Sequence, residues 1–558
     1  MPQAALFHGR PIYLRHGRPA VDALGVRDGR VIAAGSMAEV RAALPPDAED
    51  VRLHTGALMP AFIDAHQHAY LVAADPHTDA LYRKASEMAG LLGVIRSLAI
   101  GHAGLPQSSV GTWRRFHGYE PLRLRELRSP TAAELDTVCP DMPLHVITRT
   151  FHESAVNSAG LDALGIGRTT PDPPGGRIVR DRRGRPTGVL LEAVSFSAEV
   201  ASRAAEDAPA WQARLAAHAK RLLSHGITRI GDAAVPAHTA RDFVMRMAES
   251  GVDVHPLLIG HRIDEPVVVP GGTTKVLADG GEYCHLCMTG RQVRAVVASA
   301  FRAGFGREGA LARAVGNRAG FPHRERDGRW HSGVRFPHEA GLAALLRRAA
   351  DAGASGVAVH TSGNGSVDAV LRAMEADRGL RSAAPIRIEH AVACDPELAG
   401  RIAALGTPVV AQPVFLSAFG HELNLVPVPR PLKLMPFRML VDAGVQLVFS
   451  SDYPAADLSP WQGIAAAVTR CDATGQPVHP EEAVDVATAL DAYTRKGAQV
   501  LGLRDVGTLE IGTQADMTWC DADPYAISPH ALGGIAVLAT WRSGELLHSA
   551  PGGRRPLT

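Results

Sequence analysis

The chain has 558 residues, and its 58 Lys and Arg stand against 57 Asp and Glu for a formal charge of +1. Hydrophobic residues make up 46% and charged residues 21%, which excludes wholesale disorder. The even charge leaves no footprint for nucleic acid or an anionic membrane surface, and no apolar run nears the ~18 residues of a spanning helix.

The N-terminal stretch MPQAALFHGRPIYLRHG lacks the apolar core of a signal peptide, and six cysteines are too few for a disulfide framework. A reduced, cytoplasmic location is the expectation. Residues 1–57 then read as short strands, with a hairpin about Asp28-Gly29 in AVDALGVRDGRVIAAG. From residue 58 the pattern changes to short apolar runs alternating with helical periodicity, as in βα repeats. The strand candidates are Leu58–Asp64, Leu144–Thr148, Ile227–Asp232, Val254–Ile259, Gly356–His360, Ile386–His390, Pro408–Gln412 and Gln446–Asp452. Residues 504–558 return to strands, with a turn about Ser543-Gly544. The expected fold is therefore α/β: a (β/α)8 TIM barrel over 58–503, with a small β-sandwich domain formed from both termini, 1–57 and 504–558. Residues 76–140 and 262–337 are excursions of the size used for lids. A doubly wound open sheet is the alternative, but no G-x-G-x-x-G opens a helix after the first strand.

Chemistry concentrates at the ends of these strands. Ala61-Phe62-Ile63-Asp64-Ala65-His66-Gln67-His68 runs an apolar strand into His-x-His, and in extended chain residues i and i+2 point the same way, toward one ion. With 25 histidines such a pair arises by chance. However, His360 and His390 also end apolar runs, and Asp452 ends another. The C-terminal strand ends of a barrel converge on one mouth, so four histidines and a carboxylate there suit Zn2+, Mn2+ or Fe2+. For Asp452 alone, capping the next helix would be explanation enough. Lys275, one of only five lysines, sits among apolar residues in Thr273–Gly280. Burial lowers the pKa of such an amine, and a neutral amine reacts with CO2 to a carbamate able to bridge two metals; a lysine snorkelling from a loop is the alternative. Cys284 and Cys287 have CxxC spacing without a second pair, and read as reduced thiols near the lysine segment.

The ordered motifs carry a family resemblance. PAFIDAHQH, HTSGNGSVDAVLRAME, RIEHA and MPFRMLVDAGVQLVFSSDYPAADLSPWQGIAAAVTR resemble strands one, five, six and eight of the amidohydrolase superfamily. The block GTWRRFHGYEPLRLRELRSPTAAELDTVCPDMPLHVITRTFHESAVNSAGL is similar to its family 3 (YtcJ-like) branch, and DVGTLEIGTQADMTWCDADP to the return into the β domain. The resemblance spans residues of about 20 to 548. It implies that His66, His68 and Asp452 hold the more buried of one or two divalent ions, with zinc the first expectation. It also implies that His360 and His390 hold a second ion, and that N-carboxylated Lys275 bridges the two. The chain departs from the family at Asn364, where Asp is usual, at Ser450-Ser451 before Asp452, and at Val392 after the strand-six His-Ala.

The expected reaction is hydrolysis of a non-peptide carbon–nitrogen bond, of an N-acyl or N-formyl amine. A metal-activated hydroxide, its parent water brought from a pKa of 15.7 to about 7, would attack, with Asp452 as general acid and base. Alternatives are deamination or opening of a cyclic amide or imide on the same site, or a non-catalytic barrel scaffold, which the full set of six candidates disfavours. Within the branch-typical block His152, Trp113, Tyr119 and Arg149 are candidate substrate-binding residues, with His117 beside them. The expected partner is a small-molecule substrate, with no nucleic acid and no membrane, and the expected assembly is a homodimer.

Overall fold

Strands that are buried at every position, such as Gly356–Thr361 and Ile386–His390, have both faces covered, which is the situation of a parallel barrel. The computed structural model describes residues 4–74, 81, 84–101, 113–203, 208–281, 283–302, 322–336, 341–377, 379–425 and 428–550. Within these, eight parallel strands follow one another around one sheet. They are β1 (Phe62–Gln67), β2 (Ile227–Pro236), β3 (Asp253–Ile259), β4 (Thr273–Leu277), β5 (Gly356–Thr361), β6 (Ile386–His390), β7 (Val409–Ala411) and β8 (Leu447–Phe449). The seam between β8 and β1 is closed just past β8. There the Asp452 N–H donates to the His66 carbonyl at 2.8 Å, and the Ser451 N–H donates to Asp64 Oδ1 at 3.0 Å.

Helices cover the outside of most connections. The one after β6, Pro396–Leu405, shows how locally this is specified. Asp395 caps its first turn by accepting from the Leu398 N–H, Pro396 takes the first position, and Gly406 at φ 64° ends it in the left-handed region. The link from β3 to β4, by contrast, contains no helix.

Two assignments made from sequence change. Leu144–Thr148 is not a barrel strand: it pairs with Arg114–Tyr119 and Glu153–Val156 in a five-stranded sheet completed by Pro186–Glu192 and Gly176–Arg180. A buried apolar run in parallel pairing looks the same in either place. The fourth barrel strand is Thr273–Leu277, which carries Lys275, so the stretch 262–337 is not one excursion. The excursion from β1 to β2 also runs well past residue 140, although parts of 76–140 lie outside the described residues. The excursion after β4 contains the small sheet of Leu286–Met288, Trp330–Ser332 and His323–Arg324 and the helix Gly290–Arg302.

Both ends of the chain meet in one further eight-stranded sheet. Its order is Glu545–Ser549, Val537–Arg542, Met517–Cys520, Ala57–Pro60, Ala4–Ile12, Val21–Arg27 and Arg30–Gly35, with Glu49–Arg52 on Ala4–Ile12. Phe7 and Trp541 lie on strands with two others between them in this order, yet their rings meet edge to face at 5.4 Å. The sheet therefore folds over on itself, sandwich-fashion, around Leu24, Leu58 and Trp519. Gly56 lets the two ends approach: at φ 59°, a Cβ there would lie 1.8 Å from the Cys520 carbonyl oxygen. Among the described residues no helix is long and apolar enough to cross a membrane.

Candidate metal centre

Strand alternation in β1 sends His66 and then His68 toward the barrel mouth. Their Nε2 atoms lie 3.3 and 3.0 Å from the same Asp452 oxygen, Oδ1, an atom that is buried without a well-formed hydrogen bond. His66 turns Nδ1 to the carboxylate of Glu389, and the Nδ1–H of His390 donates to Gln412 Oε1 at 2.8 Å. His66 and His390 are thus held from behind, which is how a protein leaves Nε2 available to a cation. Ligand atoms of His66, His390 and Asp452 lie within 4.8 Å of one another. The His360 ring is 4.4 Å from that of His390, and Lys275 faces the same cavity. The structure brings all six expected ligands together, and the donor set fits a divalent ion. His390 and Asp452 both have left-handed backbone (φ 74° and 53°), a strained conformation for such residues that turns their side chains into the mouth.

The electrostatics favour the same use. Burial lowers the pKa of His390 to about 3 and that of His360 well below the usual 6.5, so both are neutral, as ligands must be. Burial works to raise Asp452, but His66 and His68 hold it well below the ordinary carboxylate range. Burial likewise opposes the charge on Glu389, and Arg387 and His66 overcome it. Lys275, only 2% exposed, is brought down by burial to about 8.

Beside these groups lies a cavity of about 300 Å³, walled largely by apolar side chains including Leu122, Phe151, Ile263, Phe415 and Phe419. Of the expected substrate-binding residues, His152 lines it, 5.2 Å from the His360 ring, with Nδ1 2.6 Å from the buried Glu192. Trp113, Tyr119 and Arg149 do not line it. Trp113 packs against the cluster around Val156 and Leu161, and Tyr119 sits in a separate core where its hydroxyl meets Ser129 Oγ at 3.0 Å. Arg149 lies 4.8 Å over the ring of Phe419, one layer behind the wall, as His117 does behind Phe151 at 4.4 Å. Cys284 lines the cavity and forms no disulfide with Cys287.

Sequence reasoning missed the residues behind the ligands: Glu389, Arg387 and Gln412. Arg387 Nε donates to Glu389 Oε1 at 2.5 Å. The motif RIEH already placed Arg387, Glu389 and His390 on one strand, but the 323 positions between His66 and Glu389 hid their contact. The departures from the family also have local explanations. Asn364 donates to the Cys287 carbonyl at 2.9 Å and accepts from the Cys287 N–H at 3.0 Å. Ser451 Oγ donates to Asp64 at 2.5 Å, while Ser450 Oγ accepts from Gln412 Nε2 at 3.0 Å. Val392 is part of the cavity wall.

A barrel with histidines and an aspartate gathered at its C-terminal mouth defines the metal-hydrolase class of site. A sequence model of the amidohydrolase family matches residues 53–548. The N-substituted formamide deformylase of Arthrobacter pascens is 32% identical over 94% of this chain and 95% of its own. The putative amidohydrolase YtcJ of Bacillus subtilis (strain 168) is 26% identical over 98% and 99%. An uncharacterized metal-dependent hydrolase from Pyrococcus horikoshii OT3 superposes with a TM-score of 0.65 at 20% identity, covering 94% of this chain and 99% of that one. The chain belongs to the amidohydrolase family, in its family 3 (YtcJ-like) branch, and hydrolyses carbon–nitrogen bonds other than peptide bonds.

Proposed function

We propose that the chain is a metal-dependent hydrolase releasing amines from N-formyl or short N-acyl amines. The observation that carries this is the trio His66, His390 and Asp452 opening onto the apolar cavity. A volume of about 300 Å³ lies at the small end of ligand pockets, which suits a compact substrate. The Arthrobacter pascens relative, named for N-substituted formamides, supports the same class.

In this reading His66, His68 and Asp452 would hold one ion, and His360 and His390 would serve a second. Lys275, with a pKa near 8, keeps a neutral fraction that can take up CO2 as a carbamate with loss of one proton, and its oxygens would join the ligand set. Zinc is the metal we propose. Such an ion, when bound, supplies Lewis acidity and an acidified water. The chain itself does the rest. Phe415, Phe419 and their neighbours exclude bulk water and seat the substituent on nitrogen. Glu389 and Gln412 hold the imidazoles in place. The Asp452 carboxylate, ionised and beside the ligands, takes a proton from the attacking water and returns it to the leaving nitrogen.

The test is amine and formate release from N-substituted formamides, against ring opening of cyclic amides and imides and ammonia release from amino-substituted heterocycles. It is run on purified protein, on chelated protein and after zinc is restored. Amine release that falls on chelation and returns with zinc supports the reading. Undiminished turnover after full chelation, or ring opening or ammonia release without amine release from formamides, overturns it. Asp452→Asn is expected to keep metal bound while kcat falls by about 10²–10⁴-fold. Full activity in that variant would put the base elsewhere.

A further inference from the structure

Away from the barrel mouth, the small sheet after β4 holds a second set of metal-ligating side chains that the hydrolysis does not use. Cys287 and His331 are directly opposed in antiparallel register, and Asp327 occupies the turn that precedes His331. Their ligand atoms lie within 4.8 Å of one another. His331 Nε2 is 2.9 Å from Asp327 Oδ2 and 3.9 Å from Cys287 Sγ. The other ring nitrogen, Nδ1, meets His285 Nε2 at 2.9 Å, and His285 in turn meets Ser366 Oγ at 3.3 Å. His331 is therefore held from behind by an outer partner, as metal-binding imidazoles are, while Nε2 faces a thiol and a carboxylate. Cys287 and His331 are each 6% exposed, whereas Asp327 reaches solvent, so the open side admits water as a fourth ligand.

We infer that Cys287, His331 and Asp327 form a second, structural site for a thiophilic divalent cation such as Zn2+. One thiolate, one imidazole and one carboxylate make a borderline donor set that matches zinc and is unlike the cysteine-free set at the barrel mouth. Binding forms a sulfur–metal bond and releases the Cys287 thiol proton to solvent, with no change of oxidation state. The site clamps the turn of residues 324–330 to the Cys287 strand. That strand is gripped through its backbone by Asn364, the first residue of the helix Asn364–Ala376 that follows β5, and its neighbour Leu286 lines the cavity. The clamp thus fixes one wall of the cavity from outside.

The test uses full-length protein stripped of metal and titrated with Co2+, because cobalt bound to a thiolate shows a near-ultraviolet charge-transfer band and cobalt bound only to nitrogen and oxygen does not. The band is expected in the wild type, with an amplitude at saturation corresponding to one thiolate-bound cobalt per chain, whatever the barrel mouth binds. It should disappear in Cys287→Ser and persist in Cys284→Ser, which alters the thiol facing the cavity. His285→Phe, which keeps a ring but removes the outer hydrogen bond, should weaken cobalt binding at this band by about tenfold or more. Asp327→Asn, at an exposed position and with its amide oxygen still able to accept the Arg329 N–H, should also weaken the band. A wild type without the band at saturating cobalt overturns the site, as does a band that survives Cys287→Ser. The readout does not involve turnover, so it stands or falls apart from the proposed reaction.

Discussion

At the scale of single residues, the centre depends on side chains that touch no substrate. Glu389 is fully buried between the imidazole of His66 and the guanidinium of Arg387, and it fixes which nitrogen of His66 faces the cavity. Glu389→Gln keeps the shape but removes the charge that binds both neighbours. We expect zinc affinity to fall by about 10–100-fold with the fold intact, measured by competition with a chromogenic chelator. Unchanged affinity would mean that His66 is oriented by its strand alone. His66, His68, His360, His390 and Asp452 are legible in the sequence as candidate ligands because each stands at the end of an apolar run, whereas Glu389 and Gln412 become visible only once β1, β6 and β7 stand side by side.

Elements explain where that legibility stopped. An apolar run flanked by helices is the mark of a barrel strand, and Leu144–Thr148 carries it as fully as Ile386–His390 does. Only its partners, Arg114–Tyr119 and Glu153–Val156, place it in the excursion. Thr273–Leu277 carries the mark poorly, because Lys275 interrupts the run and no helix precedes it, so the sequence shows its chemistry more plainly than its strand. The start of the helix after β5 shows how one substitution ties two elements together. Asn364 offers the Cys287 strand both a donor and an acceptor. Asn364→Asp, the residue usual in the family, would leave the buried Cys287 carbonyl unpaired. It should destabilise the protein by about 1–3 kcal/mol, seen as a lower thermal midpoint. An unchanged midpoint would show that another donor serves that carbonyl.

For the whole molecule, a buried histidine beside the sheet built from both ends contributes to the response to acid. His16 is 6% exposed beside Tyr525, and burial lowers its pKa from 6.5 to about 3. Between those values the unfolded chain binds a proton that the folded chain refuses. Its contribution to stability is therefore complete above pH 6.5 and is lost as pH falls toward 3, by at most about 1.4 kcal/mol per pH unit. His16→Gln should narrow the drop in thermal midpoint between neutral and mildly acidic buffer relative to the wild type. An equal drop in both proteins would assign acid sensitivity to other groups, with His218, also lowered to about 3 by burial, the first to examine.

The strand Ala57–Pro60, which leads directly into β1, has Met517–Cys520 as its antiparallel neighbour. On the ribosome that neighbour emerges more than 450 residues later, a wait of roughly half a minute or more at ~5–20 residues per second. Throughout synthesis the nascent chain therefore presents a bare strand edge, open to pairing with other chains. Crowded translation, rather than heat, is where this protein should be most prone to aggregate, and slower initiation or chaperone capture of the nascent chain should raise its soluble yield.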